Sequence, residues 1–137
     1  MVALLAVLLG GCSQQARVRD DLGHALTEAH SALGSATLAL DLLTESPITS
    51  AAAETTVDDM TQQVSDAQSQ LEPIAIESDA QQAERDATVE AVADGFAALL
   101  RLRDQLQQGQ DTTDARSAVA QADREIAALS ARLQAGG

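Results

Sequence analysis

Residues 20–43 read DDLGHALTEAHSALGSATLALDLL, and the spacing of their apolar positions decides the fold class. Leu22, Leu26, Ala29, Leu33, Ala36, Leu40 and Leu43 recur at alternating intervals of four and three, which brings them onto one stripe of an α-helix. Leucine and alanine alternate along the middle of that stripe. Large residues facing small ones let neighbouring helices approach and interdigitate. Gly23 and Gly34 fall inside the segment, each weakening a helix by roughly 1 kcal/mol relative to Ala. Gly34 is a candidate for a close helix contact or a local bend.

The same period returns three times. Ala53, Val57, Met60, Val64, Ala67, Leu71 and Ile74 form a second stripe. It is preceded by Ser46-Pro47, an N-cap residue followed by a proline suited to the first helical position. A start at Ser50 would instead leave Pro47 in the turn. Pro73 lacks a backbone donor and restricts its predecessor, so this helix should end near Glu72. Ser78-Asp79-Ala80-Gln81 has the form of a capping box. Val89, Val92, Phe96, Leu99, Leu102 and Leu106 follow as a third stripe, with Ala83 and Ala87 ahead of it and Gly95 making room beside Phe96. Gly109 supplies a left-handed C-cap. Asp111 and Asp114 then place negative charge at a helix start, and Ala115, Val119, Ala122, Ile126, Leu129 and Leu133 complete a fourth stripe.

Four amphipathic segments with short connections predict an all-α protein, an up-down-up-down antiparallel four-helix bundle. The helices are expected over about 17–44, 47–72, 79–108 and 112–134. The alternative is a set of helical hairpins that complete their core by dimerising. Strand-like alternation is absent from the sequence.

Composition narrows the function. The chain has 137 residues, one domain by length. It has one aromatic, Phe96, and neither Trp nor Tyr, so its core is built from Ala, Leu, Val and Ile. Its net charge is −13 and it contains no Lys, which argues against binding nucleic-acid phosphates. The charge is unevenly spread. Thirteen acidic residues and no Lys or Arg lie between Asp20 and Glu84, whereas the stretch from Arg85 onward has six Arg and eight acids.

The only cysteine, Cys12, closes the sequence Leu9-Gly10-Gly11-Cys12 at the end of the apolar run Val2–Leu9. These four residues resemble the lipobox of bacterial lipoproteins, which has an aliphatic residue, two small residues and then cysteine. The run departs from the usual signal peptide in having no basic residue before Arg17, and it is too short to span a bilayer, which takes about 20 apolar residues. The resemblance covers about a tenth of the chain. It implies cleavage before Cys12, diacylglycerol on its thiol, and a location on the extracytoplasmic face of a bacterial cell membrane. Residues 1–11 would then be the signal peptide, 12–16 a lipidated tether and 17–137 the bundle.

Reactive constellations are sparse. His24 and His30 attract a metal hypothesis, but Asp21-x-x-His24 stands on one helix with no second His-bearing element, unlike the paired motifs of di-metal bundles. Their separation of six residues turns them about 120° apart around the helix axis. Glu54, Asp58 and Asp59, and likewise Glu90 and Asp94, read as solvated faces rather than acid–base pairs. No catalytic residue, metal ligand or cofactor is therefore expected. The expected function is a non-enzymatic, membrane-anchored interaction or spacer module, with an envelope protein as a possible partner through the acidic half. Neither nucleic acid nor a small-molecule ligand is expected. The alternative is a small-ligand or metal carrier that uses the bundle core.

Overall fold

The computed structural model describes residues 6–45 and 49–136, with side chains from Ser13 onward. Every regular element among them is helical: α1 (Ala6–Glu45), α2 (Ser50–Leu71), α3 (Asp79–Gln107) and α4 (Thr113–Ala135). They pack as a helical bundle in which α1 and α3 touch across the middle while α2 and α4 do not meet.

Cross-helix partners fix how the helices lie against one another. Along α1, Arg19, His30 and Asp41 bond to Gly136, Asp123 and Arg116 of α4, so partner numbers fall as those of α1 rise. Glu28 of α1 accepts from Gln70 of α2 at 2.9 Å. Between α2 and α3, Asp58 lies 3.8 Å from Arg103, and Arg85 donates to the Leu71 carbonyl at 3.1 Å.

The apolar stripes are the core. Leu22, Leu26, Ala29, Leu33, Ala36 and Leu40 of α1 are buried, as are Val57, Val64, Ala67 and Leu71 of α2 and Val119, Ala122, Ile126 and Leu129 of α4. Fully burying one such large aliphatic side chain stabilises by roughly 1.5–3 kcal/mol. Leu43 and Met60 are only half-buried.

α3 differs from expectation. Its buried line runs through Gln81, Thr88, Val92, Gly95, Leu99 and Leu102, while Val89 and Phe96 are half-buried and Ala83 is exposed. The reason is Gly95. A Cβ built there would stand 3.3 Å from Leu33 Cδ1 and 3.6 Å from Ile126 Cδ1. The glycine, not the neighbouring ring, occupies the central position and receives the leucine of α1. Gly34, by contrast, has nothing within 4 Å of its would-be Cβ, so it marks no close helix contact.

Boundaries follow local hydrogen bonding. α2 starts at Ser50 with Thr49 as N-cap, its hydroxyl accepting from the Ala52 N–H at 3.2 Å. This corrects the start expected at Pro47; Ser46 and Pro47 lie outside the described residues. Ser78 caps α3 through Gln81 N–H at 3.2 Å, and the Gln81 side chain accepts from Glu77 N–H at 2.8 Å. The reciprocal bond of the capping box is thus made one residue upstream of the cap. α3 ends in a Schellman motif, with Gly109 at φ 63°, Gly109 N–H to Leu106 O at 3.1 Å and Gln110 N–H to Gln105 O at 2.9 Å. Asp111 accepts from the N–H of Thr113 at 2.9 Å and its hydroxyl at 2.7 Å, an Asx turn leading into α4.

Candidate functional site

α1 begins at Ala6, well before the start expected near residue 17, and is continuous to Glu45. The backbone of Leu9, Gly10, Gly11 and Cys12 is therefore helical, while their side chains, and Met1–Leu5 altogether, lie outside the described residues. The segment expected as a lipidated tether, 12–16, has a helical backbone continuous with the rest of α1. Ser13-Gln14-Gln15-Ala16 contains no breaker, and Gln and Ala sustain a helix already nucleated by the packed residues that follow. Val18, at 4% exposure, is the first core residue among the described side chains. Six residues at 1.5 Å each place Cys12 about 9 Å before it along the axis.

Around Val18 the bundle end is assembled from three other elements. Pro73, Ile74 and Ala75 of the α2–α3 turn face Gln14, Arg17 and Asp21 of α1 across an open groove of about 420 Å³. Arg19 donates from Nη2 and Nε to Glu84 Oε1 of α3 at 2.9 and 3.2 Å, and from Nη1 to the Gly136 carbonyl at the end of α4. The Glu84 hydrogen bonds raise the Arg19 pKa above its ordinary value, against the opposing effect of desolvation. Arg85 donates to the Leu71 and Glu72 carbonyls at 3.1 and 3.4 Å, satisfying acceptors at the end of α2. Sequence reasoning missed both arginines. Arg85 is legible as a cation nearly two turns into α3 after a Pro-broken helix end, whereas the Arg19–Glu84 pair, 65 residues apart, carries no local signal.

The histidines do not converge. His24 Nε2 lies 3.4 Å from Glu28 Oε1 on the same helix, and His30 Nδ1 lies 2.6 Å from Asp123 Oδ1 of α4. Both imidazoles are more than half exposed, at 69% and 53%. Among the described residues, no three of His, Cys, Asp and Glu are grouped to hold a metal ion.

The acidic half is partly paired within the fold. Asp41 meets Arg116, Asp58 meets Arg103 and Glu84 meets Arg19, so arginines outside that half face three of its carboxylates. Glu90 and Asp94 line a shallow groove of about 310 Å³ between α3 and α4, together with Glu125 and Arg132. Three buried polar residues are bonded: Thr61 donates to the Val57 carbonyl at 2.7 Å, Thr88 to that of Glu84 at 2.8 Å, and Gln81 serves the α3 cap, whereas the buried Arg103 Nε and Gln105 Oε1 atoms have no hydrogen-bond partner among the described residues.

Among the described residues, no helix is long and apolar enough to cross a membrane. No family model, no curated protein and no solved structure matches the chain.

Proposed function

We propose that the chain is a non-enzymatic lipoprotein, anchored through Cys12 on the extracytoplasmic face of a bacterial cell membrane, whose helical bundle serves as an interaction or spacer module. The observation that carries this reading is the placement of Leu9-Gly10-Gly11-Cys12 on α1 ahead of Val18, the first core residue among the described side chains. Residues 13–17 are exposed or half-buried, and the core residues among the described side chains begin at Val18. A leader removed before Cys12 leaves every core residue of the described stripes in the chain. Diacylglycerol on that cysteine, with a further acyl chain, supplies the two hydrophobic anchors that stable membrane attachment requires.

The reading includes an up-down-up-down topology. The falling order of α4 partners along α1 supports it, as do the Glu28–Gln70 and Asp58–Arg103 pairs. It also assigns the interior no ligand-binding role, because Leu, Val, Ala and Ile fill it and its buried hydroxyls are bonded to helix carbonyls. α2, α3 and α4, of 22, 29 and 23 residues, are about 33–44 Å long at 1.5 Å per residue, enough to hold a contact surface clear of the headgroups. Exposed acids such as Asp59, and Asp66, which accepts from Gln62 of its own helix, are available to a basic envelope partner.

The experiment is metabolic labelling with a fatty acid, combined with membrane fractionation, of the native protein and Cys12→Ala. The native protein should take up label and sediment with membranes, and Cys12→Ala should lose the label. An unlabelled native protein in the soluble fraction would overturn the reading.

A further inference from the structure

The joint outward face of α3 and α4 carries charges that the bundle itself does not pair. On α3, Glu90, Asp94, Arg101 and Gln105 follow one another at intervals of four, seven and four, which keeps them on one line of the helix. On α4, Asp114, Gln121, Glu125 and Arg132 do the same at seven, four and seven. All are exposed except the half-buried Gln105. The charged groups among them form no ion pair with any described residue, and Glu125 accepts only from Gln121 of its own helix, at 3.0 Å. Arg124 is exposed beside them, so this face is close to neutral on a chain of net charge −13.

Each line is its own complement when reversed. Turned end to end about the Ala97–Ala98 bond, α3 sets Asp94 opposite Arg101 and Glu90 opposite Gln105. Turned about Asp123, α4 sets Asp114 opposite Arg132, Gln121 opposite Glu125 and Ala118 opposite Ala128. One two-fold axis can serve both helices only if the two centres lie at the same level. They do: Ala97 and Ala98 border one shallow groove of about 230 Å³ with Gln121 and Ala122, and a Cβ at Gly95 would stand 3.6 Å from Ile126 Cδ1. The small side chains at this level let a second helix pair approach closely.

We propose that the α3–α4 face binds a second copy of this chain as an antiparallel two-fold dimer, its axis crossing the helices at the level of Ala97 and Asp123. A two-fold contact requires a surface that complements itself, whereas a foreign partner requires no reversal symmetry at all. Asp94 then pairs with Arg101 of the other copy and Asp114 with its Arg132, each pair made twice. Glu90 and Glu125 meet the side-chain amides of Gln105 and Gln121, and Arg124, on the rim near the axis, reaches Glu125 of the other copy. Exposed ion pairs are individually weak, so they set register and orientation while the close contact supplies area. From Ala87 to Gln105 the face runs about 27 Å, and two helices are about 20 Å wide. Both copies together would bury roughly 1,100 Å², enough for a specific interface.

The dimer goes beyond the lipid-anchored reading and agrees with it. Its axis runs across the helices from α4 toward α3, and α1 packs beside α4 while α2 does not meet α4. α1 therefore lies on the same flank in both copies, and both Cys12 residues leave from that flank toward one membrane.

The test takes the full chain in mild detergent. Light scattering should give twice the monomer mass. Ala97→Cys, at an exposed position beside the axis, should couple to its counterpart through a short bismaleimide, and Ser31→Cys, exposed on α1, should not. Asp94→Arg and Arg101→Asp should each yield a monomer, and the two combined should restore the dimer. The combined variant and the coupling still decide the question if a single variant melts early. A parent chain that is monomeric at every concentration, coupling at position 31 equal to that at 97, a dimer that survives both single reversals, or a combined variant that stays monomeric would overturn the proposal. Acylation is read separately from intact mass, so loss of the dimer and loss of the anchored reading are told apart.

Discussion

Arg19 of α1 and Glu84 of α3 are joined by a 2.9 Å Nη2–Oε1 hydrogen bond at the end of the bundle, and the same guanidinium reaches the terminal carbonyl of α4 at Gly136. One side chain thus holds three helices at the level where residues 12–16 leave the core. Arg19→Ala should loosen this end first. Amide exchange should quicken around Arg19, Glu84 and Gly136 while the middle of the bundle, at Leu33 and Gly95, stays protected. Arg19→Lys should restore only part of the protection, since an ammonium lacks the planar fork that reaches both partners. Uniform loss of protection along α1 would contradict the assignment.

Gly23, Gly34 and Gly95, each inside a helix, should respond differently to a methyl group. Gly23 and Gly34 have nothing within 4 Å of a would-be Cβ, so Gly23→Ala and Gly34→Ala should each stabilise by about 0.5–1 kcal/mol, the ordinary helix preference. Thermal melting should rise by about 2–4 °C for each. At Gly95 the same gain is opposed by a 3.3 Å approach to Leu33 Cδ1, and a larger residue has no room. Gly95→Leu should cost about 1–3 kcal/mol through overpacking. Equal effects at all three positions would show that α1 and α3 do not meet at Gly95.

Core and surface leucines of α1 separate in the same way. Leu26 and Leu33 are fully buried, and truncation of either to Ala should cost about 2–5 kcal/mol. Leu38 and Leu42 are 59% and 41% exposed, and Leu38→Ala should fall within about 0.5 kcal/mol of the parent in denaturant melts. A large loss at Leu38 would indicate that a partner covers it.

The α3 cap should be worth about 1 kcal/mol, read as the stability lost in Ser78→Ala. Gln81→Ala leaves the Glu77 N–H without its 2.8 Å acceptor while keeping the Ser78 bond, so the two losses should be separable.

Asp111 offers a pH test. The Thr113 hydroxyl, and after it the Thr113 N–H, hold its pKa below the ordinary 3.8. A depressed folded pKa means the stabilisation is fully present above that unfolded value and is lost as the pH falls through the folded one. The contribution should therefore vanish only in strong acid. Carboxyl titration by NMR should show the Asp111 pKa rising part of the way back toward 3.8 in Thr113→Ala, which removes the hydroxyl and keeps the N–H.

The legibility of the fold in the sequence varied with how each position announces itself. Leu22 through Leu40 and Val119 through Leu129 follow a heptad-like spacing made of apolar residues, and the structure buries them on that spacing. In α3 the sequence stripe is incomplete: Val92, Leu99 and Leu102 are buried and Val89, Phe96 and Leu106 pack partly buried against the core, but Thr88 and Gly95, residue types that do not read as core, share its central line. Thr88 is buried because its hydroxyl bonds the Glu84 carbonyl, and Gly95 because Leu33 fills the space its side chain would take. The start of α1 was placed too late because the abrupt change from apolar to polar after Cys12 resembles a boundary; a helix already nucleated needs only the absence of breakers to continue. Charge was legible as a total and as an imbalance between halves. Its internal pairing, Asp41 with Arg116 and Asp58 with Arg103, depends on which helices become neighbours and left no trace in local spacing.

The central claim is the modification of Cys12, and the intact mass of the protein isolated from its native membrane tests it most directly. The account predicts a chain that starts at Cys12 and carries the added mass of a diacylglyceryl group, with or without an amide-linked acyl chain. A chain that retains residues 1–11 and a free thiol on Cys12 would contradict it.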